Sequence, residues 1–338
     1  MQSIKKVPTP SYVQIEPVGQ CNLRCKMCPI NFRDDLPLTG TQKLMQFELF
    51  TSLVDQFENL QTLHLQGLGE PMLHPRFFDM VEYAVHKGIR VTTNTNMTLL
   101  NPRKAQRCIA SGLEGVYFSI DGAKRETYEN IRVNARYDKV LANLALLGSA
   151  KAKNNSLLPH LKMVMVIMRQ NLAELPDLVD LAARYDIEEV YVQQLSHDFG
   201  EASFTEKYQP LHDYVDEQTL LGEDPARIEQ YFDEARQRAA TSGLRLRLPP
   251  TRPRLHEPGT PGPQRCDWPW TSAYISFQGY MMPCCMVSTP ELMNFGLVNQ
   301  NNLDEVWNGR EYQAFRRQLS SENPHPMCSS CSIYKGVF

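Results

Sequence analysis

The 338-residue sequence predicts an α/β fold, in which six strand–helix units form a parallel sheet and a smaller cysteine-bearing region follows. Three observations carry this. Short runs rich in Val, Ile and Leu alternate with segments of helical periodicity at intervals of roughly 25–30 residues. Such alternation implies parallel strands joined by right-handed crossovers. The stretch PPTRPRLHEPGTPGPQ (249–264), with six prolines and two glycines, then breaks the pattern as a linker or covering loop. Finally, eight of the nine cysteines fall into two groups, one near each end of the chain.

YVQIEP (12–17) is the first strand and runs directly into CNLRCKMCPI (21–30). KLMQFELFTSLVDQF follows with Leu44, Phe47, Phe50, Leu53, Val54 and Phe57 at helical spacing. TLHLQG (62–67) and RVTTN (90–94) are strands, backed by helices in PRFFDMVEYAVHKG and PRKAQRCIASG. GVYFSI (115–120) precedes the helical YDKVLANLALLGSAKA, and HLKMVMVIM (160–168) precedes LAELPDLVDLAARYD. VYVQQL (190–195) closes the series, with a helix over 224–240 as its partner and LRLRLP as a later strand. Gly88, Gly112 and Gly115 stand where helices stop or strands begin. The strands lack clean apolar–polar alternation, as expected where both faces are covered. Six units could make an open sheet or an incomplete barrel, and periodicity does not choose. In either, chemistry belongs at the carboxyl ends of the strands, where the cysteine loop, GLGEP, TNTNM and SIDG all fall.

At 42% hydrophobic and 22% charged residues, the composition is that of an ordinary globular protein. A net charge of -3 advertises neither nucleic acid nor an anionic membrane as partner. No apolar window is long enough to span a bilayer, and MQSIKKVPTPSY has no secretory h-region. The expected location is the cytoplasm, where thiols stay reduced. Cys108, alone in a helical segment, reads as a small buried hydrophobe.

Cys21, Cys25 and Cys28 supply an odd number of thiolates. Structural zinc wants four ligands, and His64 or His74 could add one, but the spacing is poor for a zinc knuckle. A four-iron, four-sulfur cluster held by three thiolates fits best, since its remaining iron stays open for another ligand. The loop C-x3-C-x2-C after the first strand of a βα repeat resembles the signature of the radical S-adenosylmethionine (SAM) enzymes. That resemblance implies a partial (β/α)6 TIM-like barrel over 12–250 and reductive cleavage of SAM to a 5'-deoxyadenosyl radical. It also implies an electron donor of flavodoxin or ferredoxin type. Met27 stands where the family more often has an aromatic residue. GLGEP resembles the family's glycine–glutamate segment, which makes Gly69 and Glu70 SAM-binding candidates, the latter through a carboxylate or carbonyl that accepts from the ammonium. Ser119, Arg132, Thr93 and Asn94 join them by the same resemblance, with Arg132 suited to a carboxylate by its forked donors.

Behind the linker, Cys266 is followed by Gly279-x4-Cys284, then by Cys328-x2-Cys331, and YISFQGYMMPCCM reads as a hairpin. By ligand count alone zinc competes here. The spacing resembles the auxiliary-cluster extension called SPASM, in its shortened twitch form, over 263–338. The resemblance implies a small α+β domain with one auxiliary four-iron cluster on Cys266, Cys284, Cys328 and Cys331, and so two clusters in all. Cys285 competes with Cys284 as ligand. A fully ligated cluster suits electron transfer or simple structural support, and the former favours a net oxidation, dehydrogenation or crosslinking, of a small molecule or peptide. Only eleven residues precede the first strand, too few for a peptide-recognition domain, which points to a small molecule or a peptide delivered by a partner. A redox-neutral epimerase, with Cys108 or Cys285 as hydrogen donor, or a peptide maturase, and a non-catalytic metal-stabilised binding protein are the alternatives. No spacing singles out a general base among His64, His74, His160, His197, His212, Gln193, Asp198, Glu201 and Tyr274.

Overall fold

The computed structural model describes residues 6–33, 43–195, 206–287, 289–298 and 302–337. In chain order, the strands are β1 (Tyr12–Ile15), β2 (Arg24–Cys25), β3 (Thr62–Leu65), β4 (Arg90–Thr95), β5 (Gly115–Ser119) and β6 (Arg132–Val133). They continue with β7 (His160–Ile167), β8 (Glu189–Gln194), β9 (Arg245–Arg247), β10 (Ser272–Ile275) and β11 (Met281–Met282). The helices α1 (Phe47–Asp55), α2 (Phe77–His86), α3 (Pro102–Ala110), α5 (Tyr137–Lys153), α6 (Leu175–Arg184) and α8 (Pro225–Ser242) are the crossovers, with α4 (Arg125–Ile131) and α7 (Gln209–Gln218) as extra pieces.

The main sheet runs β11-β10-β1-β3-β4-β5-β7-β8-β9 and is parallel except at β11. Six units thus form the partial barrel the family resemblance implied, with β9 added beyond β8. The other edge holds a feature the sequence pattern did not show: β10, from beyond the proline-rich stretch, pairs in parallel with β1, Tyr12 opposite Ser272 and Ile15 opposite Ile275. The expected hairpin is present as β10 and β11, and it extends the barrel sheet instead of standing apart.

The helices bury their apolar faces on this sheet. Phe50, Leu53 and Val54 of α1 and Phe77, Met80, Val81 and Ala84 of α2 are all buried. At 25 cal/mol per Å² of apolar surface, each large side chain so covered contributes about 1.5–3 kcal/mol. Asn101 caps α3 by accepting from the Lys104 amide, and Asp224 caps α8 by accepting from Ala226. Among the described residues, no helix is long and apolar enough to cross a membrane.

Candidate active site

The cysteine loop leaves the carboxyl end of β1 and is held in place by a two-stranded ribbon, in which Cys25 of β2 lies opposite Arg132 of β6. Cys25 is buried, while Cys21 and Cys28 are half-buried, and none forms a disulfide. Cys28 donates its amide to the Cys25 carbonyl at 3.0 Å, and Pro29–Phe32 then turns the chain away as a 3-10 helix. Burial pushes the Cys21 thiol up to about 11 and that of Cys28 up to about 12. Thiols this far from ionisation become thiolates when a metal takes the proton's place.

The surrounding donors suit such sulfurs. The Leu23 amide donates to Cys21 Sγ at 3.4 Å, and Asn96 Nδ2 to the same atom at 3.7 Å. Arg132 Nη1 donates to Cys25 Sγ at 3.7 Å. Three N–H groups aimed at the sulfurs, one of them cationic, would stabilise the negative charge of a thiolate-bound cluster. The residues present therefore fit the group.

The GLGEP turn packs on the same loop. A side chain on Gly69 would place its first carbon 2.0 Å from the Val18 carbonyl and 2.6 Å from that of Gln20, so only glycine allows this approach. The Glu70 amide donates to the Gln20 carbonyl at 2.9 Å. Its carboxylate is already engaged: it accepts from the Met72 amide at 3.0 Å, Thr95 Oγ1 at 2.7 Å and the Asn96 amide at 2.8 Å. Of the two atoms Glu70 could offer a bound ammonium, the side chain is thus already engaged.

Thr93 is fully buried, and its hydroxyl donates to the Leu65 carbonyl at 2.7 Å, a bond between strands. Asn94 and Ser119 meet one another, Ser119 Oγ donating to Asn94 Oδ1 at 3.5 Å. Met27 is buried beside Cys25 in the apolar core. Arg132 is buried too, and its Nε lies 2.6 Å from Asp121 Oδ2. Burial opposes its charge, yet Asp121 and the Cys25 sulfur hold the guanidinium protonated more firmly than usual.

Sequence reasoning missed three residues here. Asp121 and Asn96 lay inside the quoted segments SIDG and TNTNM without being singled out. Glu16 pairs with Arg33 at 3.0 Å, each side chain 1% exposed, and also accepts from the Leu68 amide at 3.2 Å and the Phe277 amide at 3.5 Å. One carboxylate thereby ties the cysteine loop, the GLGEP turn and the β10–β11 turn together. The only local signal was an acidic residue at a strand end.

His64 is enclosed by Thr92 and Gln66, and His74 bonds the Met45 carbonyl. His160 pairs with Glu188 at the surface, His212 is half-buried in α7, and Gln193 is exposed. Tyr274 is buried in β10 and held protonated by that burial. His197, Asp198 and Glu201 lie outside the described residues.

The distal cysteines form a second site. Cys266, Cys284, Cys328 and Cys331 line one apolar cavity of about 40 Å³ with Phe315 and Tyr334, and Cys285 is not among its lining residues. Burial raises the thiols of Cys266, Cys284, Cys285 and Cys328, that of Cys266 to about 11 and that of Cys328 to about 12. Among the described residues no three Cys, His, Asp or Glu close on a single ion-sized point.

A family model described as the Radical SAM superfamily matches residues 15–182. The chain belongs to the radical SAM superfamily. Residues 266–332 match a second family, SPASM, an iron–sulfur cluster-binding domain. Along its length the chain is similar to the tungsten-containing aldehyde ferredoxin oxidoreductase cofactor-modifying protein of Pyrococcus furiosus, 24% identical over 95% of this chain and 87% of that one. Mycofactocin maturase MftC of Mycobacterium tuberculosis is 32% identical over 173 residues, 49% of this chain and 40% of the maturase. The crystal structure of Streptococcus suis SuiB bound to precursor peptide SuiA shares the fold, with a TM-score of 0.70 at 14% identity over 99% of this chain and 72% of SuiB.

As a radical SAM enzyme, the protein cleaves SAM and abstracts hydrogen from its substrate. When bound, a reduced four-iron cluster supplies the electron for that cleavage. This chain places Cys21, Cys25 and Cys28 in the loop after β1 and aims N–H donors at the sulfurs of Cys21 and Cys25.

Proposed function

We propose that the protein is a radical SAM oxidoreductase with two four-iron clusters, one SAM-binding on Cys21, Cys25 and Cys28 and one auxiliary on Cys266, Cys284, Cys328 and Cys331. Residues 12–250 serve as the barrel and 263–338 as the auxiliary domain. The observation that carries this reading is the contrast between the sites: three thiols in the loop leave one iron open, while four thiols around the distal cavity leave none. A closed site cannot bind substrate and is suited to receiving the electron left on a substrate radical, which makes the net reaction an oxidation.

Asn94 and Ser119 line the SAM side in this reading, with the Glu70 backbone. Gly69 allows the close approach, Met27 covers the adenine side, and Thr93 and Arg132 support from behind. The substrate is a small molecule or a peptide. SuiB is a peptide-bound relative in fold and MftC is a maturase, which supports the peptide branch. An acidic flavodoxin or ferredoxin provides the reducing electron. Nine cysteines, none of them in a disulfide among the described residues, favour a reducing compartment, the cytoplasm.

Anaerobic reconstitution tests the reading. The protein should hold about eight irons and eight sulfides. Replacing Cys21, Cys25 and Cys28 together by Ala should leave about half and abolish 5'-deoxyadenosine formation. Replacing Cys328 and Cys331 should also halve the iron but leave unproductive SAM cleavage intact. Zinc at the distal site of anaerobically purified protein, or SAM cleavage by the loop variant, would defeat it.

A further inference from the structure

Next to the wall of the distal cysteine cavity lies a buried cation with no carboxylate partner among the described residues. The helix Arg310–Leu319 buries Tyr312, Phe315, Arg316 and Leu319. Phe315 lines the cavity, and Arg316, the next residue, is 2% exposed. Its Nε donates to the Pro269 carbonyl at 2.7 Å and its Nη1 to that of Trp307 at 2.6 Å. The guanidinium lies 4.1 Å from the Tyr312 ring centre and 4.3 Å from that of Trp307. Nη2 is buried with no hydrogen-bond partner. Two carbonyls and two ring faces orient a guanidinium without neutralising it. Burial accordingly lowers its pKa to about 10, against an opposing effect of Tyr312.

The Tyr312 hydroxyl is fully buried and has no partner either. Burial is the main cause that pushes its pKa up, Arg316 opposes it, and the sulfurs of Cys284 and Cys266 add to it. Arg316 and two of the distal cysteines thus act on one hydroxyl with opposite signs. Arg316 is tied to the cavity by its own bonds as well, since Pro269 stands three residues after Cys266. A four-iron cluster on four thiolates is an anion in both oxidation states and becomes more negative on reduction. Held by Cys266, Cys284, Cys328 and Cys331, it would supply the negative charge that the guanidinium lacks. Val287, Met293, Phe315 and Met327 make the intervening wall apolar, and charges act strongly on one another across such surroundings.

We propose that Arg316 compensates the charge of the auxiliary cluster, raising its reduction potential and helping to retain its iron. The assignment rests on the auxiliary-cluster reading of the four distal thiols. An electron taken up by the cluster adds negative charge beside a fixed cation, which favours the reduced form.

The test is a redox titration of the reconstituted holoenzyme, followed by electron paramagnetic resonance. The loop cluster, whose signal changes when SAM is added, serves as the internal reference. Arg316→Gln should shift the distal cluster to a more negative midpoint potential and leave the loop cluster unchanged. Its distal iron should be lost at chelator concentrations at least about tenfold lower than in wild type. Arg316→Lys, which keeps the charge but not the fork, should stay nearer the wild-type potential than Arg316→Gln. A wild-type distal potential in Arg316→Gln overturns the proposal. So do equal shifts in the two variants, which would make the carbonyl bonds the whole role. If Arg316→Gln holds no distal iron at all, Arg316→Lys decides: iron retained there supports the charge, and iron lost there overturns it. Zinc or no metal on the distal thiols of wild type, measured before any titration, instead overturns the cluster reading on which the proposal rests.

Discussion

The Asn96 amide donates to Glu70 Oε2 at 2.8 Å, and this bond fastens the turn after β3 to the turn after β4. Asn96 in turn reaches Cys21 Sγ with its side chain, so the Glu70 carboxylate acts on the cysteine loop through a neighbour. Met97, next in the chain, holds a φ of 61° while fully buried, a conformation costing about 1 kcal/mol that the surrounding bonds sustain.

Glu70→Ala would leave three buried donors, from Met72, Thr95 and Asn96, without their acceptor. The expected loss is about 3 kcal/mol of stability, measured by urea unfolding of the metal-free protein. Glu70→Gln, which keeps one accepting oxygen, should lose about half as much. If the carboxylate instead served only as a ligand for SAM, both variants would unfold at the wild-type midpoint.

Asp121 and Arg132 form a buried pair, with Asp121 Oδ1 also accepting from the Val166 amide at 2.8 Å. Removing one partner strands the other charge, and Asp121→Ala should cost about 3–5 kcal/mol. The double change Asp121→Ala with Arg132→Met should recover part of that loss. A double variant no more stable than the single would show that the pair is not coupled.

His64 gives a pH dependence. Burial is the main cause that lowers its pKa to about 4, against the bond to Gln66, which raises it. A depressed folded value means that the native state is favoured while the ring is neutral. The contribution is complete above the unfolded pKa near 6.5 and is lost as pH falls through about 4. It amounts to about 3 kcal/mol. Wild type should therefore lose this much between pH 6.5 and 4, after the slope of a His64→Gln variant is subtracted. Equal slopes would place the ring in water.

Cys108 and Cys285 separate oxidation from epimerisation. Cys108 is fully buried in α3, where burial pushes its thiol up to about 12, and Cys285 lies outside the lining of the distal cavity. Turnover in deuterium oxide should place no deuterium at the target carbon. Cys108→Ala should cost about 1–2 kcal/mol as a packing lesion and leave the chemistry intact. One deuterium per turnover, abolished by either thiol substitution with iron retained, would make the enzyme an epimerase.

The sequence by itself determined what is local. The C-x3-C-x2-C loop at the end of β1, the strand–helix alternation and the distal hairpin all depend on residues within a few positions of one another. Spacing and periodicity carry such features directly, because a strand's or a turn's geometry is set by its own backbone. Gly69 and Glu70 were visible in the same way, as a turn after β3, although the direction of the Glu70 carboxylate was not.

Only the tertiary structure decided which polar groups meet. Arg132 and Asp121, Glu16 and Arg33, Asn96 and Cys21 become neighbours because parallel strands align their carboxyl ends, a register that periodicity does not encode. The same holds for β10, which finds β1 across more than two hundred residues. A charge needs a partner once it is buried, but the chain does not announce in advance which one the sheet will bring.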